Sequence, residues 1–161
     1  MSTELGKRMN IFFGRYFILL LLTSSLVIAR LDFNTAHASA TSFAQGYALV
    51  GGQLIDVEFA QTEGEQTTGL SNRALNASNS FMLFIYDQPQ QVSFWMKNTR
   101  KDLSIAFVDA GNKIIQIENL KAKSLKIVKS KSPQIKYALE VPKGFFSVHN
   151  IKIGDEVLIF K

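Results

Sequence analysis

Apolar and polar residues alternate with period two through much of the chain beyond residue 41. From Gln53 to Ala60, Ile55, Val57 and Phe59 fall on one face and Asp56 and Glu58 on the other, as in a strand with one buried side. The same alternation, or a short apolar run bounded by turn residues, predicts strands at 81–86, 91–97, 103–109, 113–118, 124–129, 134–141 and 156–160. Polar, Pro- and Gly-containing stretches at 76–80, 87–90, 130–133 and 142–144 separate them. Ala110-Gly111-Asn112 reads as a hairpin turn in which glycine supplies a positive φ. Thr62-Glu63-Gly64-Glu65 has capping-box spacing and predicts a short helix ending near Leu70, and 145–150 predicts one helical turn. About seven or eight short strands without alternating long helices predict a mainly β fold, either an antiparallel sandwich or a closed barrel, carrying one or two short helices.

The first forty residues break this pattern. Lys7, Arg8 and Arg15 precede an apolar run from Phe17 to Ala29 that carries no charge. As a helix that run rises only about 20 Å against a hydrocarbon core of about 30 Å. Ala38-Ser39-Ala40 supplies the small residues of a signal-peptidase site, with Ala36-His37-Ala38 as a second choice. The expectation is a signal peptide at 1–40 and a single domain at 41–161, exported to a periplasm or the medium. The alternative is an uncleaved inner-membrane anchor reaching back to Ile11.

Composition narrows the chemistry. A chain of 161 residues is of single-domain size. Zero cysteines exclude disulfides, thiolate metal sites, thiol nucleophiles and lipid attachment at cysteine. One of the two histidines, His37, lies in the N-terminal segment, so neither a His-rich metal site nor a cofactor is expected. Of 18 basic and 13 acidic residues, four and two lie in the first forty, leaving 14 against 11 in the domain. That balance is mildly basic. Within it, Lys121, Lys123, Lys126, Lys129, Lys131 and Lys136 occur with no acid between Glu118 and Glu140. Such a strip protects a strand edge, or attracts phosphates, an anionic membrane surface or acidic glycans. No aromatic residue alternates with the lysines, which argues against nucleic acid.

Phe94-Trp95-Met96-Lys97-Asn98-Thr99 is the most specific run in the chain. It resembles the signature of the domain-of-unknown-function family 192. Further matches are Gly69-Leu70 with Arg73, Met82-Leu83-Phe84, the run from Tyr137 to Pro142 with Gly144, and Gly154-Asp155 before the last strand. The resemblance extends from about Gln53 to Phe160 and implies a small, mainly β domain, often exported, with no established reaction. Asp102 stands where the family usually has proline, Ser104 where it usually has aspartate, and Ser71-Asn72 where it has a hydrophobic pair. No catalytic carboxylate is therefore carried over at position 104.

In an extended FWMKNT strand, Phe94, Met96 and Asn98 share one face and Trp95, Lys97 and Thr99 the other. Lys97, Asn98 and Thr99 can orient a polar ligand beside the Trp95 ring, with Glu140 from another strand and Arg73 from the loop after the helix. Glu140 can equally form a buried ion pair with Arg73 or Lys97. The expected binding surface is thus Arg73, Trp95, Lys97, Asn98, Thr99 and Glu140. It belongs to a non-enzymatic binding or accessory module whose ligand is small and polar or anionic, or whose partner is a protein. One alternative is a hydrolase or lyase with Glu140 as general base and Lys97 as electrostatic stabiliser. The other is a secreted protein that binds anionic surfaces through the lysine strip. No G-x-S-x-G or phosphate-binding glycine loop occurs, and His149 with Ser147 makes no triad.

Overall fold

A computed structural model describes residues 42–161. The expected signal segment, its cleavage positions and a mature start at Thr41 lie outside the described residues. Among the described residues nine strands form, two more than the shorter sequence expectation, and the first of them is new. Strand β1 (Ala44–Val50) precedes β2 (Gln53–Ala60) and pairs with it antiparallel through a two-residue turn, Gly51-Gly52. Both glycines have positive φ, 55° and 78°, as a tight hairpin compatible with strand twist requires. The buried positions of β1 begin at Gly46, where a side chain is excluded because an added Cβ would lie 2.3 Å from the Phe59 ring.

Helix α1 (Glu63–Thr68) carries the expected capping box, with Glu65 N–H donating to Thr62 Oγ1 and Thr62 N–H donating to the Glu65 carboxylate. It ends at Thr68 with Gly69 as its C-cap. Strand β3 (Met82–Gln90) runs through the polar stretch expected to be a turn, and its register with β8 shifts between Ile85 and Gln90. That irregularity accommodates Pro89, which cannot donate to a ladder. β4 (Ser93–Phe94) and β7 (Val128–Lys129) are two-residue strands paired only with each other, far shorter than the expected 91–97 and 124–129. The hairpin β5 (Leu103–Asp109) to β6 (Ile114–Leu120) is as expected. In its turn, however, the positive φ belongs to Asn112, while Asp109 Oδ1 accepts from Gly111 and Lys113 N–H. β8 (Ile135–Pro142), the short helix α2 (Phe145–Val148) and β9 (Val157–Phe160) complete the chain. His149 caps α2, with its ring 4.6 Å from that of Phe145.

Seven strands build one sheet in the order β6-β5-β8-β3-β2-β1-β9. The expected pairing was antiparallel throughout, yet β2 and β3 are parallel. α1 and the loop after it make the crossover that a parallel pair needs. The sheet curls until its two outer strands touch at one end: Ile114 N–H donates to Asp155 O at 2.9 Å and Val157 N–H to Asn112 O at 2.8 Å. The result is a half-barrel joined at one end. Inside the curl pack Val57, Phe59, Leu83, Ala106, Leu139 and Val157. Alternate residues of β3, β5 and β8 build a second core on the outer face, closed over by Leu70, Leu75, Val92, Phe94 and Met96 from the connecting segments. The strands between are buried on both sides, as in β5, where six consecutive residues are buried. The unit Thr41–Lys161 therefore has its own core, the hallmark of an independently folding domain.

Candidate functional site

The outer face sets the site. Along β8, Leu139 and Val141 point into the curl, so Ala138 and Glu140 point out. Glu140 stands opposite Met82 on β3 and Ile105 on β5, which places a carboxyl group between two apolar neighbours. Tyr86 lies on the same strand face as Met82 and Phe84. Over them passes the FWMKNT segment. Phe94 is its anchor, with its ring edge-on to Phe84 at 4.9 Å and to Phe107 at 5.9 Å.

The chain then turns. Thr99 N–H donates to Met96 O at 3.1 Å and Asn98 takes φ 60°, a left-handed conformation that asparagine tolerates. This one residue reverses the expected facing. Asn98, expected beside Phe94 and Met96, is exposed, and Thr99, expected outside, is buried at 3%. Ser71 Oγ–H donates to Lys97 O, and Asn72 N–H to Asn98 O, so the loop after α1 is fastened to the turn.

Between these pieces lies a cavity of about 380 Å³. Glu140, Tyr86 and Thr99 line it from below, Phe94 forms part of the wall, and Trp95 stands beside it half-exposed. The three polar side chains are 4%, 7% and 3% exposed. Among the described residues none of them forms a side-chain hydrogen bond or an ion pair within the protein, and no fully enclosed side-chain N or O lacks a partner. Their polar atoms therefore keep a trace of contact with the cavity. Burial pushes the Glu140 carboxyl up to about 8 and, assisted by Glu140's charge, raises the Tyr86 phenol as well. Near neutral pH Glu140 is mostly protonated and both donates and accepts.

The structure divides the six expected residues into three groups. Trp95, Thr99 and Glu140 line this cavity together. Lys97 and Asn98 border a different hollow with Asn72, Arg100, Lys123 and Leu125, and Lys97 Nζ lies 5.3 Å from the Trp95 ring. Arg73 makes a forked contact with Glu58 on β2 and packs over Phe43. The expected ion pair of Glu140 with Arg73 or Lys97 does not form: Glu58 holds the guanidinium, and Lys97 borders the other hollow with its ammonium over the Trp95 ring. Tyr86 was absent from the sequence-based set. Its signal was there in FMLFIY, where it shares the parity of two core residues but carries a hydroxyl. Ser104 faces the inside of the curl, bonded to Asn119 and accepting from Gly144 N–H. The family's usual aspartate position is thus remote from the cavity face.

A family model for DUF192, described as an uncharacterized ACR, matches residues 47–159. The chain belongs to DUF192. Two solved structures resemble this DUF192 chain over most of its length. One is from Sinorhizobium meliloti 1021, carrying the description "putative transcription regulator": 27% identity, TM-score 0.68, covering 74% of this chain and 97% of that one. The other, of unknown function, is from Novosphingobium aromaticivorans DSM 12444: 27% identity, TM-score 0.65, covering 76% and 89%. No curated protein matches.

Proposed function

We propose that this DUF192 domain is a binding module whose cavity beside Trp95 holds a small, uncharged ligand rich in hydroxyl or amide groups. One observation carries the reading: three nearly buried polar side chains, Tyr86, Thr99 and Glu140, face one cavity with no side-chain partner among the described residues. Polar atoms that open only onto the cavity take their hydrogen bonds from whatever fills it, a ligand or water, since leaving such a group unpaired costs about 1–3 kcal/mol. The charged residues lining the cavity are Glu63 and Glu140. The anionic ligand expected from the sequence therefore has no cation in the cavity lining, since Arg73 is paired with Glu58 and Lys97 borders another hollow. The Trp95 ring offers an apolar face to the carbon skeleton of a sugar or similar compound. Lys97 borders a separate hollow, so the enzymatic alternative built on Glu140 with Lys97 loses its stabilising cation. The basic N-terminal stretch and short apolar run support export of the domain as part of the same proposal.

Calorimetric titration of residues 41–161 with neutral mono- and disaccharides, against phosphate and citrate as anionic controls, tests it. Neutral compounds should bind and the anions should not. Glu140→Leu and Thr99→Val should each weaken binding about tenfold, the worth of one or two hydrogen bonds, while Arg73→Met leaves it unchanged. Wild-type affinity in both cavity variants, or binding of the anions alone, would overturn the reading. Turnover of a bound sugar, lost in Glu140→Gln, would replace it with hydrolysis using Glu140 as general acid.

A further inference from the structure

A second surface, which shares only Trp95 with the cavity lining, combines charge with exposed apolar side chains. Leu125 is 67% exposed, Ile127 63% and Trp95 50%, values that a soluble surface seldom collects in one place. They are neighbours in the fold. β4 and β7 pair as Ser93 with Lys129 and Phe94 with Val128, so Trp95 and Ile127 leave the ladder together at the same end. Just beyond, Met96 N–H donates to Ser124 O. Leu125 borders the same hollow as Lys97, Arg100 and Lys123, and Lys97 extends over the Trp95 ring. Lys121, Lys126, Lys129 and Lys131 are exposed along the same segment. No acidic residue lines that hollow. Asp102, which feels Lys121, is already bonded to Lys143 and to Ala122 N–H. The lysine strip was expected to guard a strand edge, but only Lys129 in β7 and Lys136 in β8 are strand residues; the other four lie in loop.

We infer that this tip docks on an anionic lipid bilayer: Leu125, Ile127 and Trp95 enter the headgroup layer while Lys97, Arg100, Lys123 and Lys126 meet the lipid phosphates. Cations around an apolar point match the layering of a bilayer, where anionic headgroups overlie hydrocarbon. A nucleic acid offers phosphates but no bed for two aliphatic side chains.

Co-sedimentation of residues 41–161 with vesicles decides the matter, and omitting the N-terminal apolar run removes its own lipid affinity. The domain should bind vesicles of phosphatidylglycerol and phosphatidylcholine mixed at about one to two, and ignore pure phosphatidylcholine. Each of Lys123→Ala and Lys126→Ala should lower partitioning about fivefold, and salt at about 0.5 M should release most of the protein. The double variant Leu125→Ser/Ile127→Ser should lower it about tenfold or more, with an unchanged circular dichroism spectrum. Trp95 emission should shift to the blue on binding. No binding to anionic vesicles would overturn the inference, as would binding that the Leu125→Ser/Ile127→Ser variant retains in full. Neither variant set touches the cavity floor, so sugar binding and vesicle binding fail separately.

Discussion

Exchanging Glu140 for glutamine should make the domain more stable at alkaline pH and remove most of the pH dependence of its stability between about pH 4.5 and 8. The sign follows from the carboxyl group's position. In the folded chain its pKa is pushed up to about 8 from an ordinary 4.5. Across that window the native state keeps a proton that the unfolded chain releases. Unfolding free energy therefore falls by about 1.4 kcal/mol per pH unit and levels off above the folded value, a total on the order of 5 kcal/mol. Glutamine has nothing to ionise, so wild type and variant should coincide near pH 4 and separate progressively to pH 9. The carboxylates of Glu65 and Asp102 are held below their usual range, Glu65 by backbone N–H groups of Thr62 and Gln61, Asp102 by Ala122 N–H and then Lys143. Their contribution is present at higher pH and is lost on acidification through those lowered values, outside the Glu140 window. Urea unfolding at a series of pH values resolves the two regimes. Parallel profiles for Glu140→Gln and wild type would mean that the carboxyl is hydrated or paired.

Truncating Phe94 should be the most damaging single change in the FWMKNT segment. Phe94 is 8% exposed and its ring meets Phe84 and Phe107 edge-on. Phe94→Ala should cost about 3–5 kcal/mol, the usual range for emptying a buried aromatic site. Phe94 is the aromatic anchor of this segment and part of the cavity wall, so the wall loosens when the ring is removed. Denaturant unfolding should therefore show a lower midpoint, and the surviving folded fraction should no longer bind a cavity ligand. Phe94→Leu keeps most of the volume and should recover part of both. A loss below about 1 kcal/mol for Phe94→Ala would mean that the segment is held by its backbone bonds alone.

The contrast between what alternation revealed and what it hid has a physical origin. β2, β5 and β6 each have a clear register, and the Thr62–Glu65 cap is a local pattern; all four were legible. β1 was not, because its inward positions are Gly46, Ala48 and Val50, the first without a side chain where the Phe59 ring fills the space and the second small. β3 was cut short because Pro89 and its polar neighbours look like a turn, while the register shift against β8 absorbs them. The six-residue site was half legible. Trp95 and Glu140 obey strand parity, but one left-handed residue, Asn98, exchanged the facing of Asn98 and Thr99. Ion-pair choice was hidden altogether: Arg73 had several acids within reach of imagination, and only the crossover from β2 to β3 brings Glu58 beside it.

The most direct test is an NMR titration of the Glu140 side-chain carboxyl carbon in the folded domain, assigned by its disappearance in Glu140→Gln. An unpaired carboxyl on a nearly closed cavity floor should titrate with a midpoint near 8, and a bound neutral ligand should perturb its shift. A midpoint near 4.5, unmoved by any ligand, would contradict the cavity as a working site.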